Sequence, residues 1–164
     1  MSDPLPLPVD TGVLITLAAA MGNWDFFAVL DRPIIVTPAV LDELRRGPAG
    51  RPGVETPLSA CMSVWQDDVA APVWMQSVLE EGEASVIALA LERGWPEVAI
   101  DEKTGRSMAK ACRLRLTGSL GLLIRAKRRG FPLSLAASLP RIRAAGVRLG
   151  PDLEHTALRL AGEA

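Results

Sequence analysis

Short runs of β-branched and aliphatic residues alternate along this chain with longer stretches whose apolar positions recur every three to four residues. The short runs read as buried strands and the longer stretches as helices. Leu5 to Val9 is the first strand, interrupted by Pro6 and Pro8, so it must do without some ladder donors. Thr11 is positioned to cap a helix through VLITLAAAM, and WDFFAVL adds a second short helical piece. PIIVT, opened by Pro33, has the β-branched content of a buried parallel strand. Thr37 caps the next helix, AVLDELRR, with Pro38 in its first turn and Gly47 beyond its end. GPAGRPGVETP is rich in Gly and Pro and reads as a loop. A helix is expected around Leu58 to Trp65, and DDVAAPVWM as a strand or an irregular link. From Glu83 the period is clear again, with ASVIALALERG a helix that stops at Gly94. EVAI is then a strand, KTGRSMAKAC a helix, RLRL a short strand and GSLGLLIRAKRRG a helix. LSLAASLPRIRAAG is a further helix, broken or kinked near Pro140. PDLEHTALRLAGE closes the chain as an amphipathic helix.

Strands alternating with helices make βα units, and hence an α/β fold whose mostly parallel sheet is covered on both faces. The chain has 164 residues, 49% of them apolar and 23% charged. That composition is globular, and residues 1–164 read as a single domain without repeats. No run approaches the ~18 apolar residues of a membrane span, and the N-terminus lacks the positive region of a secretory signal. A cytoplasmic protein is therefore expected, with Cys61 and Cys112 as reduced, buried small hydrophobes. The net charge of −1 provides no global basic field, so any nucleic-acid binding must come from a local patch. His155 is the only histidine, which removes His-based zinc sites and Ser–His–Asp triads. There is no tyrosine, and Phe26, Phe27 and Phe131 are assigned to the core, so no base-stacking platform is visible.

The candidate chemistry lies in four carboxylates at element ends. Asp10 ends LPLPVD and Asp101 ends WPEVAID, both at the carboxyl ends of strands. Glu43 in VLDELRRG and Glu83 in EEGEASVIALALERG lie on helices that follow. An α/β sheet gathers its ligands at the carboxyl ends of its strands. Acids converging there repel, at about 3 kcal/mol per pair for ~5 Å and an effective dielectric of ~20. They need a cation, and an all-oxygen set suits Mg²⁺ or Mn²⁺. Taken singly, each acid has an ordinary role. Glu43 would be a surface carboxylate near Arg46, Glu83 a helix N-terminal acid and Asp101 an N-cap.

Four blocks of the chain together resemble the PIN domain family, in particular its small prokaryotic members. VDTGVLITLA matches the opening strand, Asp, Thr and helix, and VTPAVLDELRRG the second acidic block. LEEGEASVIALALERG matches a Gly–Glu–Ala block. AIDEKTGRSMAKACRLRLTGSLGLLIRAKRRG matches a block running from Asp through Gly–Arg into a Gly–Ser–Leu–Gly helix. The resemblance departs at Ser85, where a second Glu is common, and at Glu102, where an Asp pair is usual. It implies a three-layer α/β/α PIN-like fold and a metal-dependent endoribonuclease, often the toxin of a toxin–antitoxin pair. Asp10, Glu43, Glu83 and Asp101 would form the acidic quartet, with Asp10, Glu83 and Asp101 on Mg²⁺ or Mn²⁺ and Glu43 orienting water. Thr11 and Arg106 would support the site or touch substrate. Arg125, Lys127 and Arg128 would grip RNA backbone, unless they are a solvated helix end matched to its dipole. Implied partners are RNA, a small antitoxin and a second copy in a homodimer.

Three other readings compete. VDTG also occurs in aspartic proteases, but those are nearly all-β and this chain is dominated by helical periods. A catalytically inactive PIN-like module that binds a protein partner fits the same blocks. A nucleotide-binding α/β protein lacks support, because no GxGxxG or phosphate-loop lysine motif is present.

Overall fold

The structure, a computed structural model, describes residues 3–164. Its strands are β1 (Leu7–Pro8), β2 (Ile34–Val36), β3 (Met62–Val64), β4 (Glu97–Ala99) and β5 (Arg115–Thr117). All pair in parallel, β3 with β2, β2 with β1, and β4 with β5. A bridge between Val9 and Ala99 joins the two groups into the order β3–β2–β1–β4–β5. The join is narrow for a local reason. Leu7 and Val9 donate towards the β2 side, to Pro33 O and Ile35 O, so alternate residues face β4. Pro8 holds one of those positions and has no N–H. The ladder to β4 therefore begins only at Asp10, whose N–H donates to Ala99 O at 3.0 Å.

The helices are α1 (Thr11–Met21), α2 (Pro38–Arg45), α3 (Val73–Gln76), α4 (Glu81–Arg93), α5 (Lys103–Ala111), α6 (Ser119–Arg128), α7 (Leu135–Ala144) and α8 (Pro151–Leu160), with a 3₁₀ helix at Asp25–Leu30. α1 packs on α6 and α7, and α4 on α5, as the two faces of a doubly wound sheet require; α2 touches both α1 and α4. This is the three-layer α/β/α arrangement expected from the sequence. The order reverses between β1 and β4, and ligands bind outside the carboxyl ends of strands at such a switch point. Asp10 and Asp101 follow those two strands.

Several local expectations are corrected. Leu58 to Trp65 is not a helix, because it carries β3. The open edge of β2 captures it through Ile34 N to Cys61 O and Trp65 N to Val36 O, so tertiary pairing overrides a short ambiguous period. In DDVAAPVWM the structure forms the short helix α3, opened by Pro72. Pro140 lies inside α7, which runs on through it. Thr11 is the first residue of α1 rather than its cap, the cap position falling on Asp10. Thr37 does cap α2, accepting from Val40 N.

Most of the apolar run from Val13 to Leu30 goes into the core. Trp24, Phe26 and Phe27 are fully buried, and the Trp24 indole donates to Leu14 O at 3.0 Å. Cys61 and Cys112 are only half-buried. One charge lies deep at the amino end of the sheet. Glu97, 7% exposed, accepts from Arg32 at 2.6 Å and from Arg125 at 2.8 Å. Arg32 also donates to Leu5 O and Pro6 O, which ties the start of β1 to β2 and β4.

Candidate active site

Asp10 and Glu83 are buried at the carboxyl end of the sheet, 4% and 5% exposed. Glu83 is in the first turn of α4, and Glu43 reaches across from α2, which packs on α4. Glu43 is held on both oxygens. The Thr11 hydroxyl donates to Oε2 at 2.8 Å and the Gly82 N–H to Oε1 at 2.7 Å. The carboxylate therefore links the first turn of α1 to that of α4, where the helix dipole favours it. It does not pair with Arg46, whose Nε donates to Asp42 O. Ser85 steadies this turn from behind, donating to Gly82 O at 2.7 Å and lying 2.7 Å from the Thr37 hydroxyl.

Burial pushes the Asp10 carboxyl up to about 7, with the charges of Glu83 and Glu43 adding to the shift, while the N–H groups of Thr11 and Gly12 pull the other way. Burial also raises Glu83, helped by Glu102, Glu80 and Glu43. Asp10 Oδ1 and Glu83 Oε1 are buried with no hydrogen-bond partner. An orphaned buried acceptor costs about 1–3 kcal/mol, more when charged.

Asp101 has contacts of its own. Its Oδ1 accepts from Ser119 N at 2.8 Å, at the start of α6, and the N-cap of α5 is Glu102 rather than Asp101. Arg106 lies beside it and donates to Ile100 O at 2.7 Å. Both border a cleft of about 730 Å³ between α1, α6 and the approach to α8, walled by Ile15, Leu116 and Leu149. Asp10, Glu43 and Glu83 do not line it.

Three of the acids rest against glycines. A Cβ on Gly82 would collide with Glu43 Oε2; one on Gly105 would fall 2.8 Å from Glu83 Oε1, and one on Gly118 2.6 Å from Asp101 Oδ1. These seats went unassigned in the sequence, although Gly82, Gly105 and Gly118 stand inside the blocks quoted above. The signal was a glycine next to an acid at a helix start, or inside a helix where Ala is intrinsically better. Helix propensity favours Gly105→Ala by ~1 kcal/mol, whereas overpacking costs about 1–3 kcal/mol. We expect Gly105→Ala to lower stability in urea unfolding by about 1 kcal/mol net. Stabilisation instead would show that Glu83 does not depend on the open space over Gly105.

The basic residues of α6 lie at its far end. Arg125 pairs with Glu97, Lys127 with Glu163, and Arg128 donates to Leu160 O. They belong to the amino edge of the sheet and to the docking of the C-terminal residues, at a distance from the acidic trio. Glu163 also accepts from Leu135 N and Ala136 N. Against a desolvation that raises it, the Glu163 carboxyl is held down to about 2 by the Lys127 ammonium, followed by these amides.

A family model described as a PIN domain matches residues 8–163. The chain belongs to the PIN domain family. Comparison with curated proteins and with solved structures gives no match. PIN domains are in general nucleases, and they typically use divalent metal ions. No helix among the described residues is long and apolar enough to cross a membrane.

The donors of this PIN domain fit such an ion by type. They are all oxygen, as Mg²⁺ and Mn²⁺ prefer. Two of the oxygens are buried without a donor, and Asp10 and Glu83 are driven towards the protonated form, a condition that an adjacent cation reverses. Among the described residues, no three acid, histidine or cysteine side chains converge closely enough to ligate one ion as they stand.

Proposed function

We propose that this PIN domain is a metal-dependent endoribonuclease that hydrolyses the phosphodiester backbone of RNA at the Asp10–Glu83–Asp101 end of the sheet. The observation that carries the reading is the pair of buried, donor-free carboxylate oxygens on Asp10 and Glu83. Asp10, Glu83 and Asp101 are the residues to hold Mg²⁺ or Mn²⁺. Bound there, the ion would supply a hydroxide nucleophile and offset charge on the phosphoryl oxygens. Glu43, immobilised by Thr11 and Gly82, is placed to orient water. The free part of the Arg106 guanidinium faces the neighbouring cleft, where substrate phosphate would pass. Family resemblance extends the proposal to a cytoplasmic toxin, restrained by a small antitoxin, and to a homodimer. Val73, Trp74 and Val78 are exposed apolar residues on and just after α3, a surface that such a protein contact would cover.

The test is Mn²⁺ calorimetry together with cleavage of a fluorescent RNA, on wild type and Asp101→Asn in parallel. Wild type should bind Mn²⁺ and cleave. The variant should lose about 100-fold or more in rate, the scale on which loss of one group stabilising the transition state acts. Equal cleavage by both proteins would remove Asp101 from the site. Absence of both binding and cleavage in wild type would leave the inactive, protein-binding reading.

A further inference from the structure

At the opposite, amino edge of the sheet is a second depression, of about 430 Å³, lined by Arg32, Arg115, Arg125 and Arg129 with Asp31. Glu97 lies beneath it and is consumed by Arg32 and Arg125. Two cations remain uncommitted at the rim. The Arg115 guanidinium is exposed and makes no hydrogen bond or ion pair among the described residues. Arg129 is exposed and gives one Nη1 bond, to Val29 O at 3.3 Å, leaving its other donors free. Four guanidinium groups thus face two carboxylates, in a chain whose net charge is −1. The acids raised by burial are all at the other edge.

The lining selects among anions. It contains no aromatic ring, and its apolar members are Pro4, Leu5, Leu30 and Pro96. Nothing there offers a flat face to a base, whereas guanidinium forks match phosphate oxygens. The cations are also spread over the turn before β2, the edge strand β5 and the end of α6, which suits a chain of phosphates better than one compact anion.

We propose that this surface docks the phosphodiester backbone of single-stranded RNA whose scissile bond lies at the acidic site, an assignment that rests on the ribonuclease reading. Along β4, Glu97 and Asp101 are four residues apart, or ~13 Å at ~3.3 Å per residue. A stacked strand at ~3.4 Å per phosphate covers that span in about four nucleotides, and an extended strand in fewer. The path runs over β5, which has no strand beyond it among the described residues. A flexible strand follows that edge from the carboxyl to the amino side, whereas a duplex is too stiff to bend so sharply. The arginines would thus hold RNA by charge, without reading its sequence.

The experiment uses Arg115→Gln/Arg129→Gln in the full chain, which leaves Arg32, Arg125 and Glu97 paired. Binding of a fluorescent oligouridine of about twelve nucleotides is measured in EDTA across a salt series, so that nothing is cleaved. The double variant should bind roughly tenfold more weakly, and its slope of log affinity against log salt should be shallower by about 0.7 per lost contact. Arg159→Gln, on the exposed face of α8, should change neither. Unchanged affinity and slope in the double variant overturn the proposal. Inorganic pyrophosphate binding more tightly than the oligomer overturns it as well, in favour of a free-phosphate site. Cleavage of a diribonucleotide, too short to reach the arginines, should be equal in wild type and double variant. If neither protein cleaves but the binding differences appear, the docking surface stands and the hydrolase reading fails alone.

Discussion

Asp10→Asn is expected to abolish the RNA hydrolysis proposed for this PIN domain and, in the absence of metal at pH 8, to make it more stable than wild type. The folded protein raises the Asp10 carboxyl to about 7, whereas an unfolded Asp titrates near ~3.9. Between those values the folded state holds a proton that the unfolded state has released. The stabilisation is therefore full below about pH 4 and declines as pH rises towards 7. Above that, the folded protein carries a charge in a buried site beside Glu83 and Glu43. The destabilisation is on the order of 2–4 kcal/mol, from about three pKa units at ~1.4 kcal/mol each. Asn keeps the shape but carries no charge. Thermal unfolding in EDTA should show wild type losing stability between pH 5 and 8 while the variant changes less. Adding Mn²⁺ should raise the melting temperature of wild type more than that of the variant, because the variant has lost one of the three carboxylates proposed as ligands. A variant less stable than wild type at pH 8 without metal would falsify the account of Asp10 as a carboxylate under electrostatic load.

The second large effect is structural. Glu97→Ala should destabilise the fold by about 3–5 kcal/mol, the scale for breaking a buried ion pair from one side. The side chain of Arg32 is 14% exposed, and its guanidinium would be left with only the carbonyls of Leu5 and Pro6. Burial pushes Glu97 up, but Arg125 and Arg32 together hold it below the usual carboxylate range. Its contribution is consequently present above the unfolded pKa near ~4.3 and lost as pH falls through the folded value. Glu97 and Asp10 thus act in opposite directions on the two flanks of the pH profile. Guanidinium denaturation at pH 7 reads the loss directly. Adding Arg32→Met to Glu97→Ala should recover part of it, since removing the second charge relieves the first. A single variant within 1 kcal/mol of wild type would mean that water or another acid takes over the role of Glu97.

Much of the site was legible in the chain. The alternation of short β-branched runs with helical periods determined the α/β class. The position of Asp10 and Asp101 at strand ends, and of Glu43 and Glu83 on the helices that follow, singled out the candidate acids. Thr37 declared itself as a cap because its partner, Val40 N, is three residues away. The departure at Ser85 is explained by the structure: its hydroxyl is spent on Gly82 O and Thr37, so that position braces the α4 turn.

What the sequence alone determined is what short-range periodicity and local capping encode: most of the element types, the parallel sheet and the placing of four candidate acids at element ends. Tertiary structure decided everything that depends on partners far along the chain. Met62 to Val64 became a strand because β2 offered an unpaired edge. Thr11 gave its hydroxyl to Glu43, 32 residues away, rather than to its own helix, and Gly82 reached the same carboxylate across 39 residues. Arg32 found Glu97 at a separation of 65 residues. Asp10 moved to about 7 because packing removed its water and placed Glu83 and Glu43 nearby. Desolvation and Coulomb energy depend on three-dimensional distance, which residue spacing does not carry, so the acids could be named from the chain but their charge states could not.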